Sequence, residues 1–118
     1  MTSGNTALLV GITLLAALAL RFFMQRRTML SPDQIQELKQ RGALVVDVRS
    51  TGEFAGGSVP GSVNIPMDQI PDAMGQWAKD QALLLCCASG VRSAHVQRYL
   101  QQEGYTDVHN AGPWQRAL

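Results

Sequence analysis

Residues 83 to 97, LLLCCASGVRSAHVQ, set two adjacent cysteines between an apolar run and a Gly-centred turn that ends in Arg92 and Ser93. A thiol does chemistry as its thiolate. What favours the thiolate is a ring of N–H donors, a helix N-terminus or a nearby cation. A strand that stops at Cys87 and turns through Ala88, Ser89, Gly90, Val91 and Arg92 into a helix can curl its amides around the sulfur as an anion-binding concavity. Gly90 suits such a turn because it adopts positive φ without Cβ strain. The guanidinium of Arg92 adds to the effect if it folds back over the turn. Cys87 is therefore the candidate nucleophile, with a lowered pKa. Cys86 precedes it by one residue on the strand and is expected to point to the other face, into packing, the alternative role being a resolving thiol. A pre-ionised thiolate needs no base, so His95 reads as a surface residue. A second set of reactive types, Asp47 and Arg49, follows the apolar residues 43 to 46; Arg49 is a candidate substrate contact or the partner of Glu53.

Two short apolar runs, residues 43 to 48 and 82 to 87, have the pattern of strands buried on both faces of a parallel sheet. Ser31, Pro32 and Gln34 form the start of a helix with a capping box, and Gly42 supplies its stop. A helix carrying Ile70, Met74 and Trp77 is expected around 68 to 79, another from about 93 to 103 with Gly104 beyond it, and a third strand at 105 to 110. Residues 55 to 66, rich in Gly, Pro and Ser, read as a loop, and Trp77 and Trp114 as core. The alternation of strands and helices predicts an open α/β sheet whose ligand site lies at the carboxyl ends of the strands, where Asp47, Arg49 and Cys87 fall.

The segment CASGVRS, residues 87 to 93, resembles the active-site loop of the rhodanese family of sulfurtransferases, with Cys87 in the position of the catalytic cysteine. Residues 45 to 66, VVDVRSTGEFAGGSVPGSVNIP, are similar to the family's first signature, and EGYTDVHNAGPWQRAL to its closing strand, Gly turn and Trp. The resemblance covers nearly all of residues 31 to 118. It implies a small α/β domain that takes sulfane sulfur from a donor such as thiosulfate, carries it as a Cys87 persulfide and passes it to a thiophilic acceptor, cyanide or a thiol. It implies Ala88, Ser89, Gly90, Val91, Arg92 and Ser93 as the substrate loop, and no metal or organic cofactor. Two positions depart from the family pattern: Ser58 stands where His is frequent, and Pro113 follows Gly112 where a second Gly is usual.

Two other functions are compatible with parts of the sequence. Cysteine phosphatases have Cys-x5-Arg, which is the spacing from Cys86 to Arg92; from Cys87 the spacing is Cys-x4-Arg, the shorter sulfurtransferase loop. A non-catalytic rhodanese-like binding module at the membrane is the other, since one fold hosts both uses, although such a module need not keep Cys87 and Arg92.

With 118 residues the chain builds one modest core. A net charge of +1, with no aromatic-punctuated basic run after residue 27, excludes a nucleic-acid footprint. Neighbouring cysteines staple no useful loop, and with only His95 and His109 they make a poor zinc set. Thr6 to Leu20 is 15 residues without a charge, followed by Arg21, Arg26 and Arg27. At 1.5 Å per residue this spans about 23 Å, and continuing to Met24 reaches about 28 Å if Arg21 snorkels, against a hydrocarbon core of about 30 Å. Signal peptides carry their positive charge before the apolar run, whereas here it follows, so residues 1 to 30 are expected to be an anchor, crossing the membrane with residues 6 to 24. The arginines place the domain of residues 31 to 118 on the cytoplasmic side, where thiols stay reduced.

Overall fold

The computed structural model describes residues 3–27 and 29–118. Met1, Thr2 and Thr28, assigned above to the N-terminal segment, lie outside the described residues. Helix α1 runs from Ser3 to Arg27, and Gly4–Phe22 forms a 19-residue stretch apolar enough and long enough to cross a bilayer. Within it the Thr13 hydroxyl donates back to the Leu9 carbonyl at 2.8 Å, so the group needs no solvent partner.

Helix α2, Pro32–Gln40, starts as its sequence dictates. The Ser31 hydroxyl accepts from the Gln34 amide at 3.2 Å, the Gln34 side chain accepts from the Ser31 amide at 2.9 Å, and Pro32 occupies the first turn. Ile35 and Leu38 face inward, and the chain reverses through Gly42 into strand β1, Leu44–Asp47. A five-residue helix α3, Thr51–Ala55, follows, with a second capping box between Ser50 and Glu53. Strand β2, Val63–Asn64, lies within the stretch expected to be loop.

The expected helix around 68 to 79 is broken. Only Ile70–Ala73 is α-helical (α4), between 3-10 turns at Met67–Gln69 and Met74–Gln76, because Pro71 fits only a first turn and Gly75 weakens continuation. Strand β3, Leu83–Cys87, leads into α5, Val91–Gln102, and β4 covers Val108–Pro113, three residues later than residues 105 to 110. The shift arises because Tyr105 is a buried core residue whose hydroxyl donates to the Met74 carbonyl, closing a loop where a strand might have begun. A 3-10 turn, Trp114–Ala117, ends the chain.

All four strands are parallel in the order β2-β1-β3-β4, an open α/β sheet as expected. Every residue of β3 is buried, so this central strand has a core on both faces. On one face Leu83, Leu85 and Cys87 pack with Val46, Ile70, Trp77, Val96, Leu100 and Val108; on the other Leu84 and Cys86 pack with Ile35, Leu38, Val45, Val59 and Ala111. Each fully buried leucine here contributes about 2 kcal/mol by removal from water. The pairing of β3 with β4 slips after Leu85, so that Cys86 opposes Gly112 and Ala111 is the extra residue of a bulge. That bulge bends β4 toward the turn that follows Cys87.

Candidate active site

The site begins with the period of a strand. Cys86 and Cys87 are both wholly buried, but the alternation of β3 sends their sulfurs to opposite faces. Cys86 sits among aliphatic side chains, and burial, helped by the Asp47 carboxylate, pushes its thiol up to about 12. Its thiolate is absent at neutral pH, and its sulfur lies on the face away from the turn. The Cys86-to-Arg92 spacing therefore frames no phosphate loop.

Cys87 has the opposite surroundings. The chain leaves β3, passes through Ala88 and Ser89, and reverses at Gly90, which has φ 98°. The reversal points the Gly90 amide at Sγ, 3.0 Å away. The Ser93 hydroxyl, one turn into α5, donates to the same sulfur at 3.3 Å. Burial raises the thiol pKa, but the Ser93 hydroxyl and the amides of Ser93, Gly90 and Ser89 together outweigh it, and the pKa falls below the ordinary value of 9.0. An anion is thus preferred inside a protein core because everything polar around it is a donor.

Gly90 is required twice. Beyond its positive φ, a Cβ there would lie 3.1 Å from the Gly112 Cα, so the turn and the β4 bulge meet backbone to backbone. Asn110 clamps the junction: its amide donates to the Gly90 carbonyl at 3.2 Å while its side-chain oxygen accepts from the Gly112 amide at 2.9 Å. The Gly90 carbonyl also accepts from the Ala94 amide and, at 3.2 Å, from the Ser93 hydroxyl. Ser93 has one hydroxyl proton and two acceptors. With a thiolate it donates to sulfur and Gly90 keeps Asn110 and Ala94; with a thiol it can turn to Gly90. The hydroxyl can follow the charge without leaving an orphaned group.

Arg92 does not fold back over the sulfur. Its guanidinium takes both Glu53 oxygens, at 2.8 and 2.9 Å, tying the rim of the turn to α3. Those bonds and the Ser50 capping box bring Glu53 from an ordinary 4.5 down to about 2. The expected pairing of Arg49 with Glu53 is likewise absent. Arg49 is 5% exposed, chelates the buried Asp47 carboxylate at 2.8 to 3.0 Å, donates to the Gly57 carbonyl at 2.7 Å and lies 4.9 Å over the Trp114 ring. Its proximity to Asp47, two residues away at the same strand end, beats Glu53, which α3 carries toward Arg92. Arg49 is thereby a strut of the core. Trp114 is half-buried and supports that strut, and Trp77 is core.

Ala88, Ser89 and Val91 form the exposed rim, and the Ser89 hydroxyl makes only a long contact, 3.5 Å, from the Val91 amide. Ser58 is half-buried and His95 is exposed on α5. Cys87 itself is buried beneath that rim. Two positions of the site have partners that differ from, or are missing in, the sequence reading. Glu53 stands in the pattern Ser50-x-x-Glu53, the same capping signature read at Ser31, and could have been found there. Asn110 carries no local signal, since its role depends on the β4 bulge. Among the described residues no group of three or more His, Cys, Asp or Glu side chains is placed to hold a metal ion.

Residues 31–111 match the rhodanese-like domain family. A sulfurtransferase of Allochromatium vinosum is 40% identical over 67 residues, a match that covers 57% of this chain and 63%, less than two thirds, of that protein. The thiosulfate sulfurtransferase GlpE of Pseudomonas aeruginosa is 32% identical over 81 residues, 69% of this chain and 74% of its own. Among solved structures, the human single-domain sulfurtransferase TSTD1 superposes with a TM-score of 0.67 at 26% identity, covering 75% of this chain and 93% of that one.

Proposed function

This chain belongs to the rhodanese-like domain family, and we propose that it is a rhodanese-type sulfurtransferase that carries sulfane sulfur on Cys87. The observation that supports the reading is the cradle of donors: the Gly90 amide and the Ser93 hydroxyl on Sγ. The relatives named for sulfur transfer have the same reaction in their names.

In the proposed reaction the Cys87 thiolate attacks the outer sulfur of thiosulfate. A sulfur–sulfur bond forms to Sγ, the bond inside thiosulfate breaks, and sulfite departs with its electron pair. Cys87 is left as a persulfide anion. A thiolate or cyanide then attacks the terminal sulfur, and Cys87 leaves as the thiolate from which it started. The leaving group in the second step is the anion that the cradle holds, so the donors that lower the pKa also favour release. No proton is required in either step.

Intact mass after exposure to thiosulfate tests this directly. A gain of about 32 Da is expected in the unmodified chain and in Cys86→Ser, and none in Cys87→Ser, because only the ionised thiol forms the adduct. An adduct that follows Cys86, or hydrolysis of an aryl phosphate, would overturn the assignment.

The proposal extends to location. Helix α1, whose arginines lie toward its C-terminal end, supports a single-pass anchor that leaves the catalytic domain in the cytoplasm. Retention in the membrane through alkaline carbonate, with the domain shielded from protease in intact cells, is the expected result. Release by carbonate would refute the anchor, and cleavage from outside would refute the orientation.

A further inference from the structure

The chain enters the domain at the catalytic end of the sheet. Leu30 packs against the core cluster that includes Ile35 and Val59, its carbonyl accepts from Arg116, and α2 then runs down to the Gly42 reversal from which β1 climbs back. A cleft of about 320 Å³ has Met29 and Leu30 on one wall and Ser89, Gly90, Gly112 and Pro113 on another. The residues that follow α1 therefore border the same space as the turn that holds Cys87. Arg27 ends α1, and three Cα–Cα steps to Leu30 span at most about 11 Å. Whatever the tilt of α1, its end stays within that distance of the cleft.

The surface character of the two ends differs accordingly. At the catalytic end Met29 is 69% and Val91 73% exposed, the charges of Arg92 and Glu53 neutralise each other, and the exposed carboxylates Asp33 and Asp68 follow the start of α2 and the end of β2. At the opposite end, where the strands begin, Arg41, Lys79, Asp80 and Glu103 are all exposed. A tether at one end combined with exposed apolar side chains at that end suits a surface that rests on lipid headgroups, while the charged end suits water.

We propose that the carboxyl end of the sheet, with the Cys87 turn, lies against the phospholipid surface of the membrane that α1 crosses, and that substrates reach the turn sideways through the cleft beside Met29 and Leu30. The inference rests on the anchor reading above.

The test uses the full chain in phospholipid vesicles, with a bimane label on a single cysteine in a Cys86→Ala, Cys87→Ala background, placed by Leu15→Cys, Ser89→Cys or Asp80→Cys. Quenching is measured with spin labels fixed at the headgroup or deep in the acyl chain. Since β3 separates the second and third sites by about 17 Å, headgroup quenching at position 89 is expected to exceed that at 80 at least about threefold, with deep quenching at 15. Deep quenching at 15 with equal values at 89 and 80, or the larger at 80, overturns the orientation alone. Absence of quenching at 15 overturns the anchor and the orientation with it. If the double-alanine background does not fold, brominated lipids read the same geometry from chains that keep both cysteines. The lone tryptophan in Trp77→Phe, Trp114 beyond β4, is expected to be quenched more than the lone tryptophan in Trp114→Phe, Trp77 ahead of β3; the reverse order overturns the orientation.

Discussion

Two adjacent strands of one sheet end side by side, and each end holds a buried polar residue. At the end of β1 the Asp47 carboxylate is met by the Arg49 guanidinium, which also bonds the Gly57 carbonyl and stacks on Trp114. At the end of β3 the Cys87 sulfur accepts from donors that carry no full charge, the Gly90 amide and the Ser93 hydroxyl. The first arrangement is a closed pair: both charges are satisfied and neither has anything left to give. The second prepares a negative charge without cancelling it, so the anion keeps its nucleophilicity. Burial with a counter-ion makes a strut, and burial with dipoles makes a reagent.

The comparison breaks most sharply in activity at Cys87. Cys87→Ser is expected to reduce thiosulfate-to-cyanide transfer by at least about 10³-fold, as removal of a nucleophile does elsewhere, with little change in the denaturation midpoint. A variant that keeps substantial transfer would mean the sulfur is carried elsewhere. At the other strand end the reverse holds. Asp47→Ala leaves the Arg49 guanidinium buried and unpaired, so a loss of about 3–5 kcal/mol in urea unfolding is expected, while the fraction still folded transfers sulfur at near the normal rate. Equal losses of stability and of specific activity would show that Arg49 does touch substrate.

Ser93 sharpens the contrast by degree. Ser93→Ala removes one hydrogen bond to a charged atom, an effect of about 1.5–3 kcal/mol. Alkylation of Cys87 by iodoacetamide at pH 7 should slow roughly tenfold in consequence. The sign follows from the lowered pKa of Cys87: the thiolate is present above its folded pKa and is lost as pH falls through it. The rate plateau in the unmodified chain therefore begins at a lower pH than in Ser93→Ala, and coincident profiles would remove Ser93 from the cradle. Cys86→Ser should leave transfer within about twofold and cost about 1–3 kcal/mol of stability, because a hydroxyl replaces a thiol among aliphatic side chains.

The smallest effect is at the rim. Glu53 is held at about 2 in place of 4.5, so its tie to Arg92 is intact above pH 4.5 and is released as pH falls toward 2. Exchange of the amides at 88 to 92 should accelerate over that window in the unmodified chain, after correction for intrinsic rates. In Glu53→Gln the window should be absent.

Much of this was legible from residue order. The helix at Pro32–Gln40 is written in Ser31, Pro32 and Gln34, and β3 in five apolar residues, because caps and strand periods are local effects. Cys87 was legible for the same reason: the turn that surrounds its sulfur is continuous in sequence, and Gly90 announces its reversal. By contrast, β2 was read as loop because two residues carry no period; Val63 and Asn64 become a strand only by pairing with Val46 and Asp47.

The sequence by itself determined that a sulfur would sit in a ring of its own chain's amides, that its neighbour would face away, and that parallel strands would present both at one end. Only the tertiary structure decided which charge meets which: Asp47 takes Arg49, and Glu53 takes Arg92. It also decided that Asn110 and Gly112 would brace Gly90 from the next strand. The physical reason is distance. A donor within six residues of Cys87 is fixed by covalent geometry and a single turn, whereas partners 39 or 20 residues apart, as in the Arg92–Glu53 and Asn110–Gly90 contacts, are chosen by how the elements pack.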